Sequence, residues 1–226
     1  MNSNLRGALY TVLFFIASEV LYKLYCKTKK HKSKTEIGSE SRLSSTSLQV
    51  LFFPDEKVAC KDYFITDNGC VKQNCRFSHE KSSLSELYKH LCSGKTTVDI
   101  CVYIITCKDL AEILMKMFKR GVKIRIITDK DQLQASGSQI WSLRKEGIPV
   151  RTNDSSYLMH HKFVIIDNRV LINGSFNWTY QAITGNQENV LITDDDAVTS
   201  VFKAEFQRLW EDFGSQNSTG DLRLQE

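Results

Sequence analysis

His160 and Lys162 stand two residues apart in the run His160-His161-Lys162-Phe163-Val164-Ile165-Ile166-Asp167. The apolar residues after Lys162 read as a strand, in which side chains two apart share a face. An imidazole and an ammonium therefore project together, while His161 points away and reads as structural. Such a pair offers a nucleophile or proton carrier near neutral pH beside a compact cation that can hold negative charge. Asp167 lies an odd number of residues from His160, so alternation sends it to the opposite face, where its role is indirect, holding the turn. Gly174-Ser175-Phe176-Asn177 and then Glu188 add a hydroxyl, an amide and a carboxylate. Each has a plain reading by itself: Lys162 a solvated cation, Asn177 a turn former, Glu188 a surface acid. Their joint occurrence singles the stretch out.

Together, H-x-K-x4-D, G-S-x-N and the later Glu resemble the phospholipase D superfamily, over about residues 45–213. The resemblance implies an α/β fold, an α-β-α sandwich, and phosphodiester cleavage without a catalytic metal. It further implies that His160 attacks as a neutral imidazole to give a phosphohistidine. Lys162 and Asn177 would hold the non-bridging oxygens, where preorganised charge is most useful. Ser175 would donate to the phosphate or support the Asn177 loop, Glu188 would orient a histidine through its other ring nitrogen, and Asp167 completes the signature. The motif occurs once and no internal repeat is visible. As in single-copy members of the superfamily, this implies a homodimer with a shared active site, the second chain's His160 protonating the leaving group.

A second set of residues has metal-ligand character. Cys60, Cys70, Cys75 and His79 read as C-x9-C-x4-C-x3-H, a closed set of three thiolates and one imidazole that resembles a CCCH zinc finger. Structural Zn2+ would order an insertion, about residues 57–80, that is poor in apolar residues. Lys57, Lys61, Lys72 and Arg76 interleave with Tyr63, Phe64 and Phe77, a mixture suited to an RNA backbone with stacked bases.

The elements that must position these groups are readable from pattern. Hydrophobic content of 42% and charged content of 25% belong to a globular chain and exclude bulk disorder. Leu48–Phe53 reads as a first buried strand ended by Pro54. Ser83-Leu-Ser-Glu86 predicts a capping box and a helix to about Cys92. Val98–Ile105 predicts a strand covered on both faces. Thr106 is placed to cap the next helix, whose Leu110, Ile113, Leu114, Met117 and Phe118 fall on one face before Gly121 stops it. A strand over 122–127, a helix to about Glu146 and a short strand over 148–151 complete an alternation that predicts a largely parallel sheet. A tight hairpin is expected at Asp167-Asn168-Arg169, then a strand over 189–193. In the last helix Val198, Val201, Phe202, Phe206, Leu209, Trp210 and Phe213 share a face. The catalytic domain is thus expected over 48–213, with a polar tail over 214–226.

The N-terminus sets where the body works. Residues 7–25 are mostly apolar, about the ~20 residues a bilayer requires. Lys27, Lys29, Lys30, Lys32 and Lys34 follow, against Arg6 alone on the other side. That asymmetry predicts an uncleaved single-pass anchor over 1–34, the C-terminal body facing the cytosol, and the pattern resembles mitochondrial outer-membrane anchors. Residues 35–47 are a flexible linker. Seven cysteines, an odd number, predict reduced thiols rather than a disulfide scaffold.

With seven Lys/Arg and one acid in residues 1–34, the remainder carries 23 basic and 25 acidic residues, so net charge gives no argument for nucleic acid. Local clusters (Lys116, Lys119, Arg120, Lys123, Arg125) do. With anchor and finger, the chain resembles the mitochondrial, single-motif branch of the superfamily, which implies two substrates. One is single-stranded RNA, cut to make piRNA intermediates. The other is cardiolipin, hydrolysed to phosphatidic acid. A non-catalytic adaptor binding RNA or anionic lipid is the third reading, against which the intact motif argues.

Overall fold

The strand Thr97–Val102 (β2) is buried on both faces and apolar but for Thr97 and Asp99, because helices cover both faces of the sheet. The computed structural model describes residues 46–217, with side chains as far as 214. The expected anchor, nearly all of the linker and the end of the tail lie outside the described residues. Among the described residues no helix is long and apolar enough to cross a membrane.

In chain order the elements are β1 (Leu48–Phe53), α1 (Lys61–Ile65), α2 (Ser83–Cys92), β2, α3 (Lys108–Lys119), β3 (Lys123–Thr128), a 3-10 turn (Lys130–Gln134), α4 (Ile140–Lys145), β4 (Val150–Thr152), β5 (Lys162–Ile166), β6 (Val170–Gly174), α5 (Tyr180–Thr184), β7 (Glu188–Thr193) and α6 (Asp196–Asn217). The strands form one seven-stranded sheet in the order β1-β7-β6-β5-β2-β3-β4. Only β2, β3 and β4 run parallel, and the other pairings are antiparallel. The expected largely parallel sheet is therefore corrected to a mixed one. Alternation of strand and helix holds only for the first half, and after β4 the chain returns through hairpins.

One face of the sheet packs under α2 and α3 in the main core, with Leu87, Leu91, Ile113, Leu114, Ile100 and Val164 buried. The other face packs under α6, where Phe163, Ile165 and Leu171 meet Phe206, Leu209 and Phe213. Val198 and Val201 stay exposed, so the apolar stripe of α6 starts later than its pattern predicts. The helix also continues through Gly214 to Asn217, past the point where a polar tail was expected. β1 is an edge strand rather than a buried one: Leu51 and Phe53 point into the core, while Leu48, Val50 and Phe52 are exposed.

The ends of elements differ from expectation by small steps. Ser82, not Ser83, caps α2, forming a reciprocal box with Ser85, while Glu86 pairs with Lys89 at 2.9 Å. Cys107 occupies the N-cap of α3 without a side-chain bond, because the backbone N–H groups of Thr106 and Cys107 both go to the Trp178 carbonyl. The segment after β3 forms a 3-10 turn before the short α4, where one continuous helix was expected. The Asp167–Asn168 hairpin forms as read. Both residues have positive φ (51° and 56°), the primed turn that matches strand twist and that Asp and Asn tolerate.

Candidate active site

β5 begins at Lys162, so His160 sits on the loop immediately before it, at the sheet end shared with the close of β2, β3 and β6 and the start of β7. Lys162 Nζ lies 3.1 Å from His160 Nδ1 and donates to the His160 carbonyl at 2.8 Å. Tyr103 backs both groups: its ring lies 4.6 Å from the imidazole and 5.4 Å from the ammonium. Its backbone N–H bonds the His161 carbonyl at 2.9 Å, tying the loop to the end of β2. Partial burial, then the charges of Lys162 and His161, hold the His160 pKa below the ordinary histidine value, against the opposing charge of Asp129. These influences favour the neutral form of the ring. Burial also lowers the Lys162 pKa, against the Glu188 charge.

Glu188 opens β7, with its carboxylate bonded to the Ser175 hydroxyl and to the Asn186 amide at 3.0 Å. It makes no hydrogen bond to His160 within the chain, so the expected orienting contact is absent among the described residues of a single subunit. Ser175 serves the strand ends instead, accepting the Asn189 N–H at 3.1 Å. The close crossing there requires Gly174, where an added Cβ would meet the Asn189 carbonyl oxygen at 2.0 Å. Asn177 has a buried Oδ1 without a partner, a polar group held ready for a donor. Its neighbour Trp178 pins the loop by accepting from Thr106 and Cys107 at 2.9 and 2.8 Å and donating to Ile104 at 3.2 Å. A small void beneath Lys162 is lined chiefly by Leu87, Val164, Ile172, Phe176, Trp178 and Val190, and neither His160 nor Asn177 lines it.

Asp167 lies at the other end of β5, remote from His160. Its carboxylate accepts the N–H groups of Lys95, Thr96 and Thr97 at 2.9, 2.7 and 3.0 Å and the Thr96 hydroxyl at 2.8 Å. Burial by itself would raise its pKa, but these donors outweigh it and hold the carboxyl at about 2. The signature aspartate thus clamps the α2–β2 connection to the β5–β6 turn.

In the insertion, Cys60, Cys70, Cys75 and His79 bring their ligand atoms within 4.8 Å of one another. Backbone bonds between Cys60 and Ser78 (2.7 Å) and between Ser78 and Val58 (2.9 Å) set the first and last ligands side by side. The buried His79 Nε2 has no hydrogen-bond partner, and its ring stacks flat on Tyr63 at 4.3 Å. The backbone N–H of Phe77 draws the Cys75 thiol down to about 7, toward the thiolate a metal needs. Donor set and spacing fit a closed structural metal site. Lys61 drops out of the RNA-facing reading of this insertion, while Lys57, Lys72 and Arg76 are exposed. Lys61 is buried in ion pairs with Glu112 and Asp109, docking the insertion on α3, and Tyr63 lies against His79. The basic cluster of α3 and β3 is also spent on acids: Arg125 on Asp99, Lys119 on Glu146 and Lys116 on Asp62. Lys123 pairs in register with Thr97, at the sheet end away from His160.

Three groups near the site escaped sequence reading: Tyr103, Asp129 and Asn153. The signal that would have found the last two is position, since polar residues at the carboxyl ends of parallel strands line the crevices of open α/β sheets.

A model of the cardiolipin synthase, PLD-like domain matches residues 87–210. The chain belongs to the phospholipase D-like family and is an enzyme of the phosphodiesterase class. Within it, the chain falls among the mitochondrial cardiolipin hydrolases, the Zucchini group. It is 44% identical over 166 residues to the protein of that name from Chlamydomonas reinhardtii, covering 74% of each chain. It is 40% identical over 185 residues to the human one, covering 79% of this chain and 73% of that. Among solved structures it resembles Nuc from Salmonella typhimurium, a phospholipase D family member, with TM-score 0.58 and 25% identity. That match covers 74% of this chain and 96% of Nuc.

Proposed function

We propose that the protein is a metal-independent phosphodiesterase working through a phosphohistidine on His160, in a site completed by a second copy of the chain. The contact of the His160 ring with the Lys162 ammonium at 3.1 Å carries this reading. A phosphate oxygen entering between them takes over the ammonium and frees the imidazole lone pair for phosphorus. The Asn177 amide adds a second hold on the non-bridging oxygens. The partner subunit's copy of the same histidine gives its proton to the departing oxygen, and water then releases the enzyme.

The leading substrate is single-stranded RNA, of the kind cut to make piRNA intermediates, at the cytosolic face of the mitochondrial outer membrane. The single copy of the H-x-K-x4-D motif, as in the compact members of the superfamily, supports it. The second reading, cardiolipin hydrolysis, is favoured by the names of the relatives. Full-length protein in vesicles containing cardiolipin, offered single-stranded RNA with a chelator present, separates them. RNA fragments that require His160, without phosphatidic acid, support the first reading; phosphatidic acid alone supports the second; neither product supports an adaptor.

In this proposal the Cys60, Cys70, Cys75 and His79 cluster holds structural Zn2+. Cys75→Ser is expected to release one zinc per chain by elemental analysis and to lower the melting temperature. Turnover of a small phosphodiester should stay within about tenfold, because a closed structural site takes no part in the chemistry. A variant that keeps its zinc, or a wild-type melting temperature after zinc loss, would count against this.

A further inference from the structure

Two buried polar side chains close the carboxyl ends of β3 and β4 beneath the His160 loop. Asp129 is 1% exposed and Asn153 is 3% exposed. Asp129 accepts the N–H of Asp131 at 3.0 Å through one oxygen and the N–H of Met159 at 2.8 Å through the other. Met159 immediately precedes His160. Asn153 accepts the Lys130 N–H at 3.1 Å and donates to the Tyr157 carbonyl at 2.7 Å. The loop over 153–160 is thus held from below at both ends.

A carboxylate so far from water is costly unless compensated, and its two oxygens accept one backbone N–H each, a pairing that an amide, with a single acceptor oxygen, would only half reproduce. The adjacent cation, Lys130, turns to Asp154 at 3.1 Å. The charge that does respond is the neighbouring imidazole, which Asp129 favours in its protonated form.

We propose that Asp129 is a positioning residue for His160, fixing the backbone that delivers the ring and setting a negative charge behind it. The inference rests on the phosphohistidine reading. Attack leaves the imidazole bonded to phosphorus and cationic, and protonating the leaving group calls on the imidazolium form. Asp129 stabilises the positive ring in both steps. It opposes Lys162 and His161, the other charged groups that act on His160, while the titratable Tyr103 ring packs against the imidazole at 4.6 Å.

The test is Asp129→Asn in the full chain, assayed beside wild type and His160→Asn. Asp129→Asn, which gives up one acceptor, is expected to fold with a moderately lower melting temperature and to keep KM while kcat falls roughly 10- to 100-fold, the low end of acid–base contributions. Loss of the negative charge lowers the His160 pKa, so the acid limb of the kcat/KM profile moves to lower pH. Asn153→Ala, which loosens the same loop and keeps the charge, is expected to lower kcat without moving that limb. Wild-type kcat with an unmoved limb overturns the proposal. So does loss of folding in Asp129→Asn, which would make the carboxylate a structural requirement only. If His160→Asn still turns over, the phosphohistidine reading itself has failed, which is a different result.

Discussion

Replacing His160 with asparagine is expected to remove turnover by at least ~10⁴-fold, because no other imidazole occupies the face beside Lys162. The side chain is exposed, so the melting temperature should stay within about 2 °C of wild type. His161 is no substitute: its ring turns to the α6 face, 5.5 Å from Phe163 and 3.7 Å from the Glu205 carboxylate. Rapid quenching into base should trap a phosphohistidine on wild type and none on the variant. Mixing wild type with an excess of His160→Asn should also suppress turnover, since each shared site would then hold a single reactive ring. Near-normal rates in the variant, or no effect of mixing, would bring down the covalent two-chain mechanism.

Asp167→Ala should cost stability, not chemistry. The carboxylate gathers three backbone N–H groups and a hydroxyl, and hydrogen bonds to charged groups contribute a net ~1.5–3 kcal/mol each where buried, less at a half-buried carboxylate such as this. A net loss of about 2–4 kcal/mol is expected, a fall of roughly 5–10 °C in melting temperature. The pH dependence has a definite sign. The folded pKa, about 2, lies below the carboxylate's ordinary value of 3.8. The stabilisation is therefore complete above about pH 4 and is lost as pH falls towards 2. Wild type should lose stability across that window, and the variant should lose less there because it has already forgone the contribution. Below the melting transition, kcat should stay within about threefold of wild type, since the residue sits at the far end of β5. An unchanged melting temperature with lost turnover would assign Asp167 to the reaction itself.

The geometry of the His160–Asp167 stretch was legible because its information is local. Alternation alone put His160 with Lys162, sent His161 to the other face and set Asp167 apart, and the Asp167–Asn168 turn followed from residues that tolerate positive φ. The Cys60, Cys70, Cys75 and His79 cluster was legible for the same reason, its ligands lying within one short insertion. Strand direction was not. β5 reads as well parallel as antiparallel, and only its pairing with both β2 and β6 decides. Exposure of β1 was likewise hidden, because an edge strand and a buried one share composition while their neighbours differ.

Charge was the least legible property. Lys61, Arg125 and Lys119 read as a surface for a polyanion, yet each meets an acid from a remote segment. Asp129 and Asn153 carried no motif, because their significance lies in being buried beneath a loop that arrives 30 residues after one of them. The order of residues by itself singled out the groups proposed to do the chemistry, since reactivity belongs to side-chain type and to spacing along one strand. The tertiary structure decided which charges remain free, which backbone holds the imidazole, and that Glu188 engages Ser175 rather than the same chain's histidine. Those are contacts between segments far apart in the chain, and long-range pairing is set by packing rather than by local pattern.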